Sequence, residues 1–150
     1  MNPDATARRA LYQRLANDEL SAANARARVA VVSLVETLPG MSGCAYYANG
    51  CFRIDVLRCD TDWFDEFSVF AHELGHLLCE HVAPTTAENL TELLHAQDSA
   101  LGWLRETSDV TRVILSEMEQ AQVARENEAW KTAVHLLLRW RDAGWWQVVD

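Results

Sequence analysis

Two histidines four residues apart, with a glutamate directly after the first, constrain this chain more than any other feature of it: His72-Glu73-Leu74-Gly75-His76. Residues at i and i+4 of an α-helix lie one turn apart on the same side, so the spacing brings two imidazoles together only on a helix. There they can close on one Zn²⁺, with the glutamate beside the water that completes the shell. Zinc lowers the pKa of its water to about 7 and polarises a carbonyl, which leaves Glu73 the role of general base in a hydrolysis. Neighbouring residues support a helix with two unlike sides. On a helical wheel Phe67, Phe70, Leu74, Leu77 and Leu78 fall within an arc of about 100°, and His72 and His76 fall nearly opposite. One side is suited to a core and the other to a cleft, whereas two surface histidines on an amphipathic helix are the bland alternative.

A hydrolytic zinc needs a third protein ligand and one open position. His81 is nearest, but continuing the helix carries it onto the apolar arc. The HExxHxxGxxH pattern also fails, because Cys79 and Val82 stand where glycine and histidine are required. Downstream glutamates are better candidates. In the segment ENEAWKTAVHLL, Glu128 precedes Ala129, a small residue that lets its helix pack closely on the first, and Glu128 shares a stripe with Glu117, Ala121, Ala124 and His135. On the same wheel Glu126 points roughly the other way. Glu128 is therefore the preferred third ligand, with Glu117, Glu119, Glu88 and Glu92 as alternatives and a solvated acidic face as the bland reading. His135, about 10 Å further along the helix, is a candidate donor to an oxyanion. A histidine favoured by the helix C-terminal dipole explains it more simply.

The rest of the chain supplies the frame. Residues 4 to 37 hold no glycine or proline and carry Leu11, Leu15, Leu20 and the run Val29 to Val35, which predicts one long helix, or two with a break near Asn17 or Asn24. From Cys44 to Leu57 the residues turn aromatic and β-branched, and Asn49-Gly50 suits a tight hairpin between strands at 44–48 and 51–57. Phe52, Ile54 and Val56 alternate with Arg53 and Asp55, as in a strand with one buried face. Pro84 closes the helix that bears the histidines, Thr85 and Glu88 form a capping box for a helix over about 86–106, and Ser108 caps a last one over about 109–142, ended by Gly144. Trp103, Trp130 and Trp140 are expected to fill the core between the long helices. The predicted fold is α+β and mostly helical, a single domain over residues 1–150 with a short hairpin packed on the HExxH helix.

Composition narrows the partners. The chain has 150 residues, 49% hydrophobic and 23% charged, with 6 Gly and 3 Pro, a globular balance that needs no disulfide framework. Its four cysteines form no CxxC pair and are read as reduced thiols. A net charge of −9 argues against direct binding of nucleic acid or anionic lipid and suits a basic protein surface. The N-terminus shows no secretory signal and no stretch is long and apolar enough for a membrane span, so the expected place is the cytoplasm.

The strand CFRIDV, the segment FSVFAHELGHLLCEH and the later ENEAWKTAVHLL together resemble the ImmA/IrrE metallo-endopeptidases over about residues 40 to 140. That family runs from a strand to an F-x-x-AHELGH helix and then to E-x-E-A-x-x-F-A-x-x-LL, and Glu126, Glu128, Ala129, Ala133, Leu136 and Leu137 match in register. Two departures stand out: the segment between His76 and Glu128 is longer than usual, and Thr132 stands where phenylalanine is common. The resemblance implies a gluzincin-like, minimal zincin site with His72, His76 and Glu128 on zinc and Glu73 as base. It also implies an intracellular protein substrate, a DNA-binding repressor; the sequence shows no helix-turn-helix module of its own, so that regulator is expected on a separate chain. A different class of function, a zinc-stabilised acidic protein that binds and inhibits a basic partner without cleaving it, has no need of Glu73.

Overall fold

Asn49 and Gly50 take φ values of 52° and 78°, the left-handed conformations that a two-residue turn demands, and the chain folds back on itself there. The computed structural model describes residues 3–23, 30–82 and 108–144, with side chains from 117 onward in the last stretch. Among these residues the fold is α+β and mostly helical: α1 (Ala5–Ala22), β1 (Ala30–Val35), β2 (Gly43–Ala48), β3 (Cys51–Leu57), α2 (Trp63–Leu78) and α3 (Ser108–Asp142). The hairpin strands match the expectation to within a residue. Phe52, Ile54 and Val56 are buried while their neighbours along β3 are half-exposed. The expected helix at 86–106, with Trp103, Glu88 and Glu92, lies outside the described residues.

One expectation is corrected. The run after residue 29 is β1 rather than helix, paired in parallel with β3 from Ala30 opposite Phe52 to Val35 opposite Leu57. Val31, Val32 and Val35 are stiff at χ1 and fit a pleated surface better than a helix, and β3 offers them a partner that a local reading of helical periodicity cannot see. The strand order is β1-β3-β2, with β2 antiparallel to β3, so β2 is an edge strand.

Helix α1 opens on Asp4, whose side chain accepts from the Ala7 N–H at 2.8 Å. It packs against β1, and α2 packs against β2 and β3. Between them Tyr12, Phe67, Phe70 and Trp140 stack into a fully buried aromatic cluster, the Tyr12 and Phe70 centroids 4.7 Å apart and those of Phe67 and Trp140 5.4 Å apart. Trp140 thus takes the core position expected of it. Trp130 does not; it is 44% exposed.

A buried carboxylate ties these layers together. Glu66, in the first turn of α2, accepts from Arg8 Nε at 2.8 Å, Tyr12 Oη at 2.8 Å and the Cys59 N–H at 2.8 Å. The α1 helix, the β3–α2 connection and α2 therefore meet on one charge that is fully hydrogen-bonded, the condition under which burying it is tolerable.

Candidate metal centre

Helices α2 and α3 touch through backbone. A Cβ built on Gly75 would stand 2.6 Å from the Ala129 carbonyl oxygen, so only glycine admits this approach. The contact fixes the rotation of α3. Its buried side runs through Ala129, Ala133, Leu136 and Trp140, and Glu126, three residues before Ala129, projects from that side at the end nearest His72 and His76.

The outcome is a cluster of donor atoms. Glu126 Oε2 lies 2.9 Å from His72 Nε2, Glu126 Oε1 lies 3.2 Å from His76 Nε2, and the two imidazole Nε2 atoms are 3.2 Å apart. Glu128, the expected third ligand, is directed elsewhere, with Oε1 3.1 Å from His81 Nε2. The stripe that suggested it, Glu117, Ala121, Ala124, Glu128 and His135, is exposed along its whole length. Glu119 is exposed with it. The reason is geometric: residues 126 and 128 stand about 200° apart on a helix, and the Gly75 contact turns 126 inward. The signal was present in the apolar stripe of α3, which contains the position of Glu126 and excludes that of Glu128.

His81 also departs from expectation. Helix α2 ends at Leu78, so the wheel does not extend to residue 81, and the His81 ring turns back to the site with Nδ1 2.8 Å from His76 Nδ1. His135 instead lines a separate cavity of about 430 Å³ with Glu19, Leu78 and Arg139, away from the histidine pair.

The cluster opens into a cleft of about 390 Å³ that Glu73 and Arg125 also line, under the edge strand β2 at Gly43, Cys44 and Ala45. A Cβ on Gly43 would meet Val69 Cγ1 at 2.6 Å and Glu73 Cγ at 3.0 Å, so β2 lies directly against the Glu73 side chain. Gln122 donates to Glu126 Oε1 at 3.3 Å. Gln122 and Arg125 lie one turn and one residue before Glu126, and neither is visible to motif reading until Glu126 is placed.

Burial lowers the pKa of His72 and of His76, and the nearby His72 ring lowers that of His76 further. Burial thus favours the neutral rings, the state that offers a lone pair, while the Glu126 carboxylate opposes it. Burial, reinforced by the Glu126 charge, pushes the Glu73 carboxyl up to about 7. The His72 ring stacks on Trp130, centroids 4.2 Å apart, and its Nδ1 is the one buried side-chain polar atom without a hydrogen-bond partner among the described residues.

One donor atom each from His72, His76 and Glu126 lies within 4.8 Å of the other two, so the three side chains converge on one point. Ligand atoms held about 2.0 Å from a tetrahedral zinc stand about 3.3 Å apart, close to the 3.2 Å between the two imidazole Nε2 atoms, and one or other Glu126 oxygen lies at similar range from each ring. The donor set, two imidazoles and a carboxylate, is the type zinc takes in hydrolytic sites. The residues therefore fit a metal ion. A second group, Cys79, His81 and Glu128, brings its donor atoms within 4.8 Å of one another.

No family model matches the chain, and no curated protein or solved structure is similar to it. What fold and site define is an α+β, mostly helical chain with a histidine–carboxylate cleft able to hold a metal ion.

Proposed function

We propose that the chain is a zinc-dependent endopeptidase of minimal, zincin-like build that cleaves a specific intracellular protein, a basic DNA-binding regulator on a separate chain. One observation carries the reading: His72, His76 and Glu126 converge at ligand spacing in a cleft that also contains a buried carboxylate, Glu73, with no ligand role. The sequence likeness to the ImmA/IrrE peptidases supports it, with Glu126 in place of Glu128 as third ligand.

When bound, zinc supplies Lewis acidity toward a peptide carbonyl and an acidified water. Glu73 takes a proton from the attacking water and returns it to the leaving amine, and its burial raises its proton affinity, which favours holding that proton between the two steps. Arg125 lines the cleft and offers the guanidinium N–H groups a developing oxyanion needs. Among the described residues β2 is an edge strand, whose outer backbone groups would pair with an extended peptide lying across the cleft. A net charge of −9 draws a basic substrate and repels nucleic acid.

Glu73→Gln is the deciding variant. Zinc content and fold are expected to persist while cleavage of a co-expressed candidate regulator falls about 10²–10⁴-fold, the usual contribution of a general base. A biological response that survives Glu73→Gln in full, with no fragment from any partner, rejects the peptidase in favour of a non-catalytic binder.

A further inference from the structure

Helix α2 ends in a Schellman turn. The Glu80 N–H donates to the Leu77 carbonyl at 3.2 Å and the His81 N–H to the His76 carbonyl at 2.9 Å, with Glu80 at φ 58°. Glycine is the usual occupant of that left-handed position, and a residue with a Cβ is held there under strain. The turn swings the chain back so that the residue after it sits over the one five before. An apolar contact commonly joins those two positions. Here they are His81 and His76, and the contact is polar: their Nδ1 atoms are 2.8 Å apart, and His81 Nε2 continues to Glu128 Oε1 at 3.1 Å.

With a cation rather than a proton between His76 Nε2 and the Glu126 carboxylate, the three groups His76, His81 and Glu128 admit one consistent placement of protons with both rings neutral. A carboxylate only accepts, so His81 Nε2 carries a proton. His81 Nδ1 is then a lone pair and accepts from Nδ1–H of His76. His76 Nε2 is left with its lone pair facing His72 Nε2 and Glu126, which is the form a ligand histidine needs.

We propose that His81 and Glu128 are positioning residues that hold the His76 ring in the metal-binding tautomer and orientation. This rests on the reading of His72, His76 and Glu126 as zinc ligands. Partners of this kind fix a ligand imidazole and raise its basicity, and their loss typically costs 10–100-fold in metal affinity. Among the described residues His72 has no such partner on its Nδ1, and its ring stacks on Trp130 instead. The orientation of His76 is therefore the one that the relay controls. Cys79 supplies the competing arrangement, since its sulfur lies near the same two side chains and the three could hold a second ion.

The test is zinc stoichiometry and affinity, by competition with a chromogenic chelator, on the full chain and on His81→Ala, His81→Asn, Glu128→Ala and Cys79→Ala, with circular dichroism to check folding. Histidine ¹⁵N NMR of the zinc-loaded protein reports the tautomers. We expect one zinc per chain throughout, affinity lowered 10–100-fold in His81→Ala and Glu128→Ala, and no change in Cys79→Ala. His81→Asn, which keeps an acceptor facing His76, should recover part of the loss. The hydrogen-bonded Nδ1 proton of His76 should be present in the wild type and absent in His81→Ala. If His81→Ala does not fold, Glu128→Ala, on an exposed helix face, decides alone. Equally tight binding of one zinc by wild type, His81→Ala and Glu128→Ala overturns the relay and leaves the zinc reading standing. Two zinc ions in the wild type, one of them lost in Cys79→Ala, overturns it in favour of the second site. No zinc in the wild type overturns the zinc reading and the relay with it.

Discussion

At the scale of single residues, the site turns on which of two glutamates faces inward. His72, Glu73 and His76 were legible because their spacing is local: one helical turn fixes it whatever the rest of the chain does. The partner from α3 was not, since its identity depends on how that helix is rotated, and rotation is set by a backbone contact 54 residues away in sequence. Glu126→Ala is accordingly expected to cost several hundred-fold in zinc affinity, about one quarter of the roughly 10–16 kcal/mol that tight zinc binding supplies. Glu128→Ala should cost less than that. Trp130, stacked on His72, gives the measurement a direct signal, because metal on His72 changes the surroundings of that indole. Titration followed by tryptophan emission should show a zinc-dependent change that Trp130→Phe abolishes. A larger loss in Glu128→Ala than in Glu126→Ala would restore the sequence-based assignment.

Among the elements, the hairpin and α2 were readable from alternation, turn residues and periodicity, whereas β1 was not, because a short β-branched run between helices declares itself only through its partner. The contact between α2 and α3 gives the element-scale prediction. On an exposed helix Gly→Ala stabilises by about 1 kcal/mol. At Gly75 the added methyl would stand 2.6 Å from a carbonyl of α3, so the helices must separate. Gly75→Ala is expected to destabilise by about 1–3 kcal/mol, the usual range for overpacking, and to weaken zinc binding as Glu126 withdraws. Urea midpoints and zinc titrations on the same samples would show both effects together. A more stable variant with undiminished zinc affinity would mean that the two backbones are not in contact.

For the whole molecule, stability should depend on pH through the Glu66 hub. Burial raises the pKa of Tyr12, and its hydrogen bond to the Glu66 carboxylate raises it further. A group whose folded pKa is raised contributes stability that is complete below its unfolded value, about 10 for tyrosine, and lost as pH climbs toward the folded value. Unfolding free energy is therefore expected to fall by about 1.4 kcal/mol per pH unit above pH 10 from this group alone. Tyr12→Phe should be less stable at pH 8, for want of the hydrogen bond, yet show a shallower decline between pH 10 and 11.5 in denaturant titrations. Parallel curves for the two proteins would remove Tyr12 from the account. The separation of His72 and Glu126 by 54 residues also bears on biosynthesis. The residues of the sheet, both histidines and Glu73 are all translated before Glu126, the carboxylate that the proposed zinc site requires. Under the proposed reading, a copy that lacks α3 has an incomplete zinc site, and hydrolytic competence arrives only when α3 has docked on Gly75.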